Sequence, residues 1–396
     1  MSKNNPMRGA KRRELSRVLP RFSEDDAEHY FAAIRFGSDT QQACPQCGTL
    51  ANHYRLPQRR QWRCRAVECG HTFSVVSGTR FDSSHLTNMQ RLELLVRFEA
   101  APKGRTLVDL SGLVRMTEKS AHQNQMKLRE AIMENLEQKP LEGVIHMDGA
   151  WVCGKFRRSA RWERLVKASH VLAKYGTTEA KRKLPRINKT SKANLRRAAN
   201  KRAMLAMVQV DRVHGGPERV IVAMCRSENS RDVLALARQF IKPGATIMTD
   251  EHPAYGNLGG EYLHAVVNHS REYSTAEGVN ENMAETFFSR VRRGECGIHH
   301  GYRPRYMQLY AAEYAWRETR RRCPQGENVA ELARWMLGLG YSKRWRGYHG
   351  GLKRRHRRDP RLEILMGSPT EPWQDARSLA SSGQAPEPQP ACPSKP

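Results

Sequence analysis

Four cysteines arranged as two knuckles constrain this chain more than any other feature. Cys44-Pro-Gln-Cys47 is followed by sixteen residues, and then by Cys64 and Cys69 with four residues between them. Thiolates at these intervals close a tetrahedron around zinc, and the stretch between the knuckles is the size of a β-hairpin. Gly48 and Gly70 each follow the second cysteine of a knuckle, where the backbone must turn to bring both sulfurs to one ion. His71 is an alternative ligand should one sulfur be displaced. In a module this small the zinc takes the place of a core. A further reading adds DNA contact, because Arg55, Arg59, Arg60, Arg63 and Arg65 line the hairpin with Trp62 among them, and these residue types meet phosphates and bases. Cys153, Cys225, Cys296, Cys323 and Cys392 have no partner at metal spacing and read as core or free thiols. Such usage indicates a reducing compartment.

The charge balance names the class of partner. Lys and Arg number 68 against 40 Asp and Glu, a formal charge of +28, which points to a polyanion rather than a small metabolite. The excess is segregated: Lys155–Arg202 carries +15, Arg290–Arg322 +6 and Tyr341–Pro360 +7, leaving the rest of the chain neutral. No apolar run approaches the roughly 20 residues of a membrane span, and the basic Met1–Arg13 start lacks the apolar stretch of a signal peptide. The expectation is a cytoplasmic protein with no membrane partner.

Periodicity divides the chain. Residues 1–40 read as a basic arm and a short helix, Glu24–Gly37, and residues 41–82 as a β-rich zinc ribbon. A helical segment, 83–140, contains stretches at Met89–Ala101, Leu107–Val114 and Ser120–Leu136, with Thr117 as an N-cap. The last two have the dimensions of a helix-turn-helix whose second helix presents Lys119, Gln123, Gln125, Lys127 and Arg129 to DNA. Two helices packed on a neighbour would have the same pattern. Beyond Pro140, apolar runs at Val144–Val152, Ala203–Val210, Val220–Met224 and Thr246–Thr249 alternate with helical stretches at Ser230–Ile241, Glu281–Arg293 and Pro304–Arg322. This predicts a mixed α/β domain over 141–325, interrupted by the basic insertion 155–202. Residues 326–366 read as a C-terminal helix and basic extension, in which amphipathic Val329–Leu339 offers a dimer contact and Trp335 and Trp345 pack. The proline-rich 367–396 reads as a disordered tail.

Position singles out three of the carboxylates. Asp148 interrupts Val144-Ile-His-Met-Asp-Gly-Ala-Trp-Val152, an otherwise buried strand in which an unpaired charge is costly. Asp250 ends the run Ala245-Thr-Ile-Met-Thr-Asp250, at a strand end where α/β sites are built. Glu285 lies on the helix Asn282-Met-Ala-Glu285-Thr-Phe-Phe-Ser-Arg-Val-Arg292, on one face with Ser289 and Arg292. An oxygen-only trio suits two Mg²⁺ or Mn²⁺ ions acting on a phosphodiester.

The string Asn282-x-x-Glu285 leading to Arg292-Arg293-Gly294-Glu295-Cys296-Gly297-Ile298-His299-His300, with Asp148 and Asp250, resembles the ISXO-like insertion-sequence transposases, which join an N-terminal zinc ribbon to a DDE catalytic domain. Trp62-Arg-Cys64, Cys69-Gly-His-Thr-Phe73 and Ser77-Gly-Thr79 resemble the ribbon of that family, and the likeness runs from about Cys44 to Arg322. It implies an RNase H-like, integrase-type fold, cleavage at element ends, and joining of 3′ ends to target DNA with divalent metal. It further implies Asp148, Asp250 and Glu285 as metal ligands, and Asn282, His269 and Arg292 as supporting residues. The chain departs from many members in carrying Gly149 where they have Glu, and Arg292 where they have Lys. The partners implied are double-stranded DNA, as element ends and target, and a homodimer or higher complex on it, in a nucleoid-associated protein of bacterial type. Arg59, Arg60, Arg63, Lys119, Gln123, Lys127, Arg292 and Arg293 are the expected DNA contacts. A same-fold nuclease, a zinc-ribbon regulator and an inactive transposase are the alternatives.

Overall fold

The computed structural model describes residues 14–38, 40–136, 139–153, 201–211, 213, 215–225, 228–267, 282–302 and 306–346. His269, nearly all of the 155–202 insertion, the first thirteen residues, most of the 341–360 basic run and the C-terminal tail lie outside them. The chain divides into two compact units, one formed by Met1–Glu137 with Ala312–Arg358, the other centred on Gln138–Ala311.

In the first unit, helices α1 (Glu14–Val18) and α2 (Glu24–Phe36) precede the ribbon strands β1 (Gln42–Ala43), β2 (Leu50–Ala51), β3 (Tyr54–Leu56), β4 (Gln61–Arg63) and β5 (Thr72–Phe73). Helices α3 (Asn88–Glu99), α4 (Leu107–Val114) and α5 (Glu118–Asn135) follow. Local sequence sets the ends of these helices. Ser23 and Asp26 form a capping box at α2, Thr87 and Gln90 form another at α3, and Gly37 closes α2 in the left-handed conformation, φ 71°. Thr117 caps α5 by accepting from Ser120 N at 3.2 Å, as its position predicts.

The ribbon has no separate core. Trp62 and Phe73 belong to one buried cluster with Phe31 of α2, Leu92 and Phe98 of α3, Val114 of α4 and Leu128 of α5. Trp316 and Val329 join the same cluster from two later helices.

The second unit is built on a five-stranded sheet. β6 (Val144–Cys153), β7 (Lys201–Val210) and β8 (Pro217–Cys225) form an antiparallel meander, and β9 (Thr246–Thr249) and β10 (Leu263–Val266) add parallel to β6, giving the order β10-β9-β6-β7-β8. Ala203 to Val208 of β7 are all buried, as in a strand covered on both faces. α6 (Ser230–Phe240) turns Val233, Leu236, Ala237 and Phe240 inward, and α7 (Asn282–Gly297) packs on β6 and β7. This is the mixed α/β, RNase H-like arrangement that the sequence predicts. β10 is an addition: Leu-His-Ala-Val has one β-branched residue where β9 has three, and its Leu263 and Val266 lie exposed at the sheet edge.

Two C-terminal features differ from the charge and periodicity readings. In α8 (Met307–Thr319), Arg317 is buried and bonded to Glu313 at 2.7 Å, and Glu313 also accepts from Arg129 of α5 at 2.6 Å. Much of the charge on this helix therefore works inside the fold instead of on phosphate. In α9 (Gln325–Leu337), Val329, Leu332, Ala333, Met336 and Leu337 lie in the core of the first unit, so its apolar face is already covered and is not a dimer surface. Trp345 is 1 % exposed and packs, as expected.

Candidate functional site

The cysteine quartet is assembled. Cys44 and Cys69 sulfurs are 3.8 Å apart, those of Cys47 and Cys64 are 3.6 Å apart, and all four lie within 4.8 Å of one another. Sulfurs at tetrahedral Zn–S distance are separated by about 3.8 Å, so the spacing fits zinc. The knuckles are shaped by the backbone: Gly48 and Gly70 have φ of 76° and 51°, and Gly48 N donates to Cys44 O. His71 stays outside the quartet and stacks on Phe73 instead.

The arginines of the hairpin separate into two groups. Arg55 lies over Trp62 and makes a forked pair to Glu28 of α2 at 2.6 and 2.9 Å. Arg60 bonds Asp25 and Glu28. These two dock the ribbon on α2, with Arg60, an expected DNA contact, held at a partly exposed position by the two acids. Arg59 and Arg63 are exposed and available to phosphate.

The candidate catalytic residues are placed by sheet register. Val144 to His146 of β6 pair in parallel with Thr246 to Met248 of β9. Asp148 lies two residues beyond His146 on β6, and Asp250 directly follows the last residue of β9, two residues beyond Met248; both carboxylates lie close enough to Tyr255 to act on its hydroxyl. Asp250 begins a tight turn in which its Oδ1 accepts from His252 N at 3.0 Å. On the same face of β6, buried His146 accepts through Nδ1 from Met283 N at 3.4 Å, tying the first turn of α7 to the strand. Two residues on, Glu285 is exposed beside buried Ala284. Among the described residues, only the cysteine quartet draws three or more His, Cys, Asp or Glu ligand atoms within 4.8 Å of one another, so the three carboxylates stand further apart than that. Asn282 opens α7, and Arg292 and Arg293 are exposed further along it, Arg292 lying 5.9 Å from the Phe288 ring.

Sequence reading missed two residues here. Glu228, just before α6, accepts from the Tyr255 hydroxyl at 2.8 Å, and its carboxylate fills the space over Gly149, where an added Cβ would overlap Oε1 and Cδ. Tyr255 is 1 % exposed. Burial first, then the charges of Glu228, Asp148 and Asp250, push its pKa well above the usual tyrosine range. The signal was indirect: a glycine beside Asp148, inside a strand, marks close approach by another group.

Comparison with known families adds two matches. A family model described as the ISXO2-like transposase domain matches residues 140–319, and one described as the transposase zinc-ribbon domain matches residues 22–72. Residues 140–319 thus match the ISXO2-like transposase domain and residues 22–72 the zinc ribbon that precedes it in such transposases. No curated protein and no solved structure matches it.

In this ISXO-like chain the helical segment between ribbon and sheet does not present the side chains expected of a recognition helix. Lys119 is exposed, but Gln123 donates to Trp345 O at 2.6 Å. Gln125, Lys127 and Arg129 are buried, at 2 %, 2 % and 1 % exposure. Lys127 therefore cannot reach a phosphate, and the packed-helix alternative describes α5 beyond its first turn. Among the described residues no helix is long and apolar enough to cross a membrane.

Proposed function

We propose that this protein is the transposase of an insertion element, acting on DNA of the nucleoid in the cytoplasm. What supports this reading is that Asp148 on β6 and Asp250 just after β9 both act on Tyr255, while His146 ties the helix of Glu285 to β6. The oxygen-only donor set would suit two Mg²⁺ or Mn²⁺ ions. When bound, such ions supply Lewis acidity to the attacking and departing oxygens.

Asp148 on β6, Asp250 just after β9 and Glu285 on α7 would be the residues that hold these ions. Water attacks the phosphorus at the element end, the P–O3′ bond breaks, and a free 3′-hydroxyl is left. That hydroxyl attacks a target phosphodiester, so one P–O bond forms as another breaks. Arg292, Arg293 and the exposed ribbon residues Arg59 and Arg63 hold the phosphates, on a dimer or larger complex that brings two ends together. Structural zinc keeps the ribbon folded.

Replacing Asp148 by Asn is expected to abolish strand transfer from a precut end while leaving end binding nearly unchanged. Joining retained by that variant in Mg²⁺ sinks the assignment. Labelled end DNA, plasmid target and Mg²⁺ in one reaction separate the rivals: cleavage without joining indicates a nuclease, and binding alone a regulator or an inactive transposase.

A further inference from the structure

Glu228 and Tyr255 take no part in the reaction as written above. We propose that Glu228, held by Tyr255, is a positioning residue that fixes Asp148 and Asp250 relative to each other, an inference that rests on the reading of those aspartates as metal-holding. The links are continuous. Tyr255 ends the 3₁₀ turn Pro253–Tyr255 that follows Asp250, and its hydroxyl donates to Glu228 Oε1 at 2.8 Å. The same carboxylate lies on Gly149, with Oε2 3.0 Å from where a Cβ would stand, and residue 149 is covalently next to Asp148. The turn after one aspartate is thus braced against the strand that carries the other.

A merely structural use of Glu228 would be as an acid at the start of α6, where the helix dipole favours negative charge. Here Asn229 caps the helix, its Oδ1 accepting from Asp232 N at 2.9 Å, and Asp232 supplies the acid of the first turn, while Glu228 turns to Tyr255 and Gly149. Nor is Glu228 a filler. An apolar side chain would fill the space over Gly149 without adding a carboxylate near Asp148 and Asp250, and like charges so placed are favoured only where a cation answers them. Burial, then Glu228, Asp148 and Asp250, disfavour ionisation of Tyr255, which keeps its hydroxyl the donor to Glu228.

The test measures Mn²⁺ binding to the full chain without DNA, from the electron-resonance signal of free Mn²⁺, alongside strand transfer. Partners that orient ligands typically contribute 10- to 100-fold in metal affinity, so Glu228→Gln is expected to weaken Mn²⁺ binding at least about tenfold and Tyr255→Phe by a few-fold. Melting temperature without Mn²⁺ and zinc content should not change. Gly149→Ala should weaken binding as much as Glu228→Ala, and the double variant no more than either, because both act through one contact. If Gly149→Ala does not fold, Glu228→Gln, which keeps the volume, gives the answer. Mn²⁺ bound by Glu228→Gln as tightly as by the unaltered chain, while Asp148→Asn loses it, overturns the positioning role and leaves the proposed function standing. Undiminished binding by Asp148→Asn removes the metal reading of the aspartates, and the inference with it.

Discussion

Lys127 shows how far residue type can mislead when burial is unknown. Its charge suggests a phosphate contact, yet it is 2 % exposed, and burial pulls its pKa from 10.5 down to about 8, with Asp82 opposing. The unfolded chain therefore binds more protons than the folded one between about pH 8 and 10.5, and stability rises with pH across that window. Below it, charged Lys127 costs up to about 3 kcal/mol. Lys127→Met should raise stability at pH 7 by about 1 to 3 kcal/mol and flatten the rise above pH 8, as measured by urea unfolding. The ribbon arginines call for the opposite treatment. Arg55→Ala leaves Glu28, whose side chain is 4 % exposed, with Arg60 alone at 3.2 Å. It should cost about 1 to 2 kcal/mol, a value reduced because Arg55 itself is partly solvated. Arg59→Ala, at an exposed position, should change stability by less than about 0.5 kcal/mol and weaken DNA binding. Charge is visible in sequence, whereas the partner is not: nothing local distinguishes Arg60, bonded to Asp25 and Glu28, from Arg59 next to it.

At the scale of elements, legibility followed whatever is written locally. The knuckle spacing, the Thr117 cap and the β6 and β9 runs are short-range signals, and the structure places each where it was read. Asp148 was legible because a charge inside an apolar strand violates a local rule. β10 and the Glu228 contact were not, because parallel pairing and a side chain reaching a distant strand depend on tertiary contacts. The helix-turn-helix reading of α4 and α5 gave way for the same reason, since apolar periodicity shows that a helix packs but not how much of its circumference is covered. Because Trp62 packs against Phe36 at 6.2 Å and Phe73 at 5.9 Å, losing zinc should loosen more than the knuckles. Chelation is expected to remove one zinc per chain and to abolish hydrogen-exchange protection over residues 42–73, with weaker protection at the end of α2 and little change in α3. Uniform loss across α3 and α5 would show instead that the metal holds the whole first unit.

For the whole molecule the question is where a charge of +28 meets phosphate. Part of it is spent inside the fold: Arg317 and Arg129 share Glu313, and Arg55 and Arg60 share Glu28. What remains for DNA is concentrated in Lys155–Arg202, whose +15 enters the chain between β6, which carries Asp148, and β7. Phosphate contacts release condensed cations, so the logarithm of affinity falls with the logarithm of salt by about 0.9 per contact. Changing Lys181, Arg182 and Lys183 together to alanine should lower that slope by up to about 2.7 if each neutralises one phosphate, as measured by fluorescence anisotropy on end DNA over a potassium chloride series. Asp148→Asn should leave the slope unaltered, since removing an acid of the proposed metal centre takes away no phosphate contact. An unchanged slope in the triple variant would exclude this stretch from the DNA path and leave Arg59, Arg63, Arg292 and Arg293 as the surface to map.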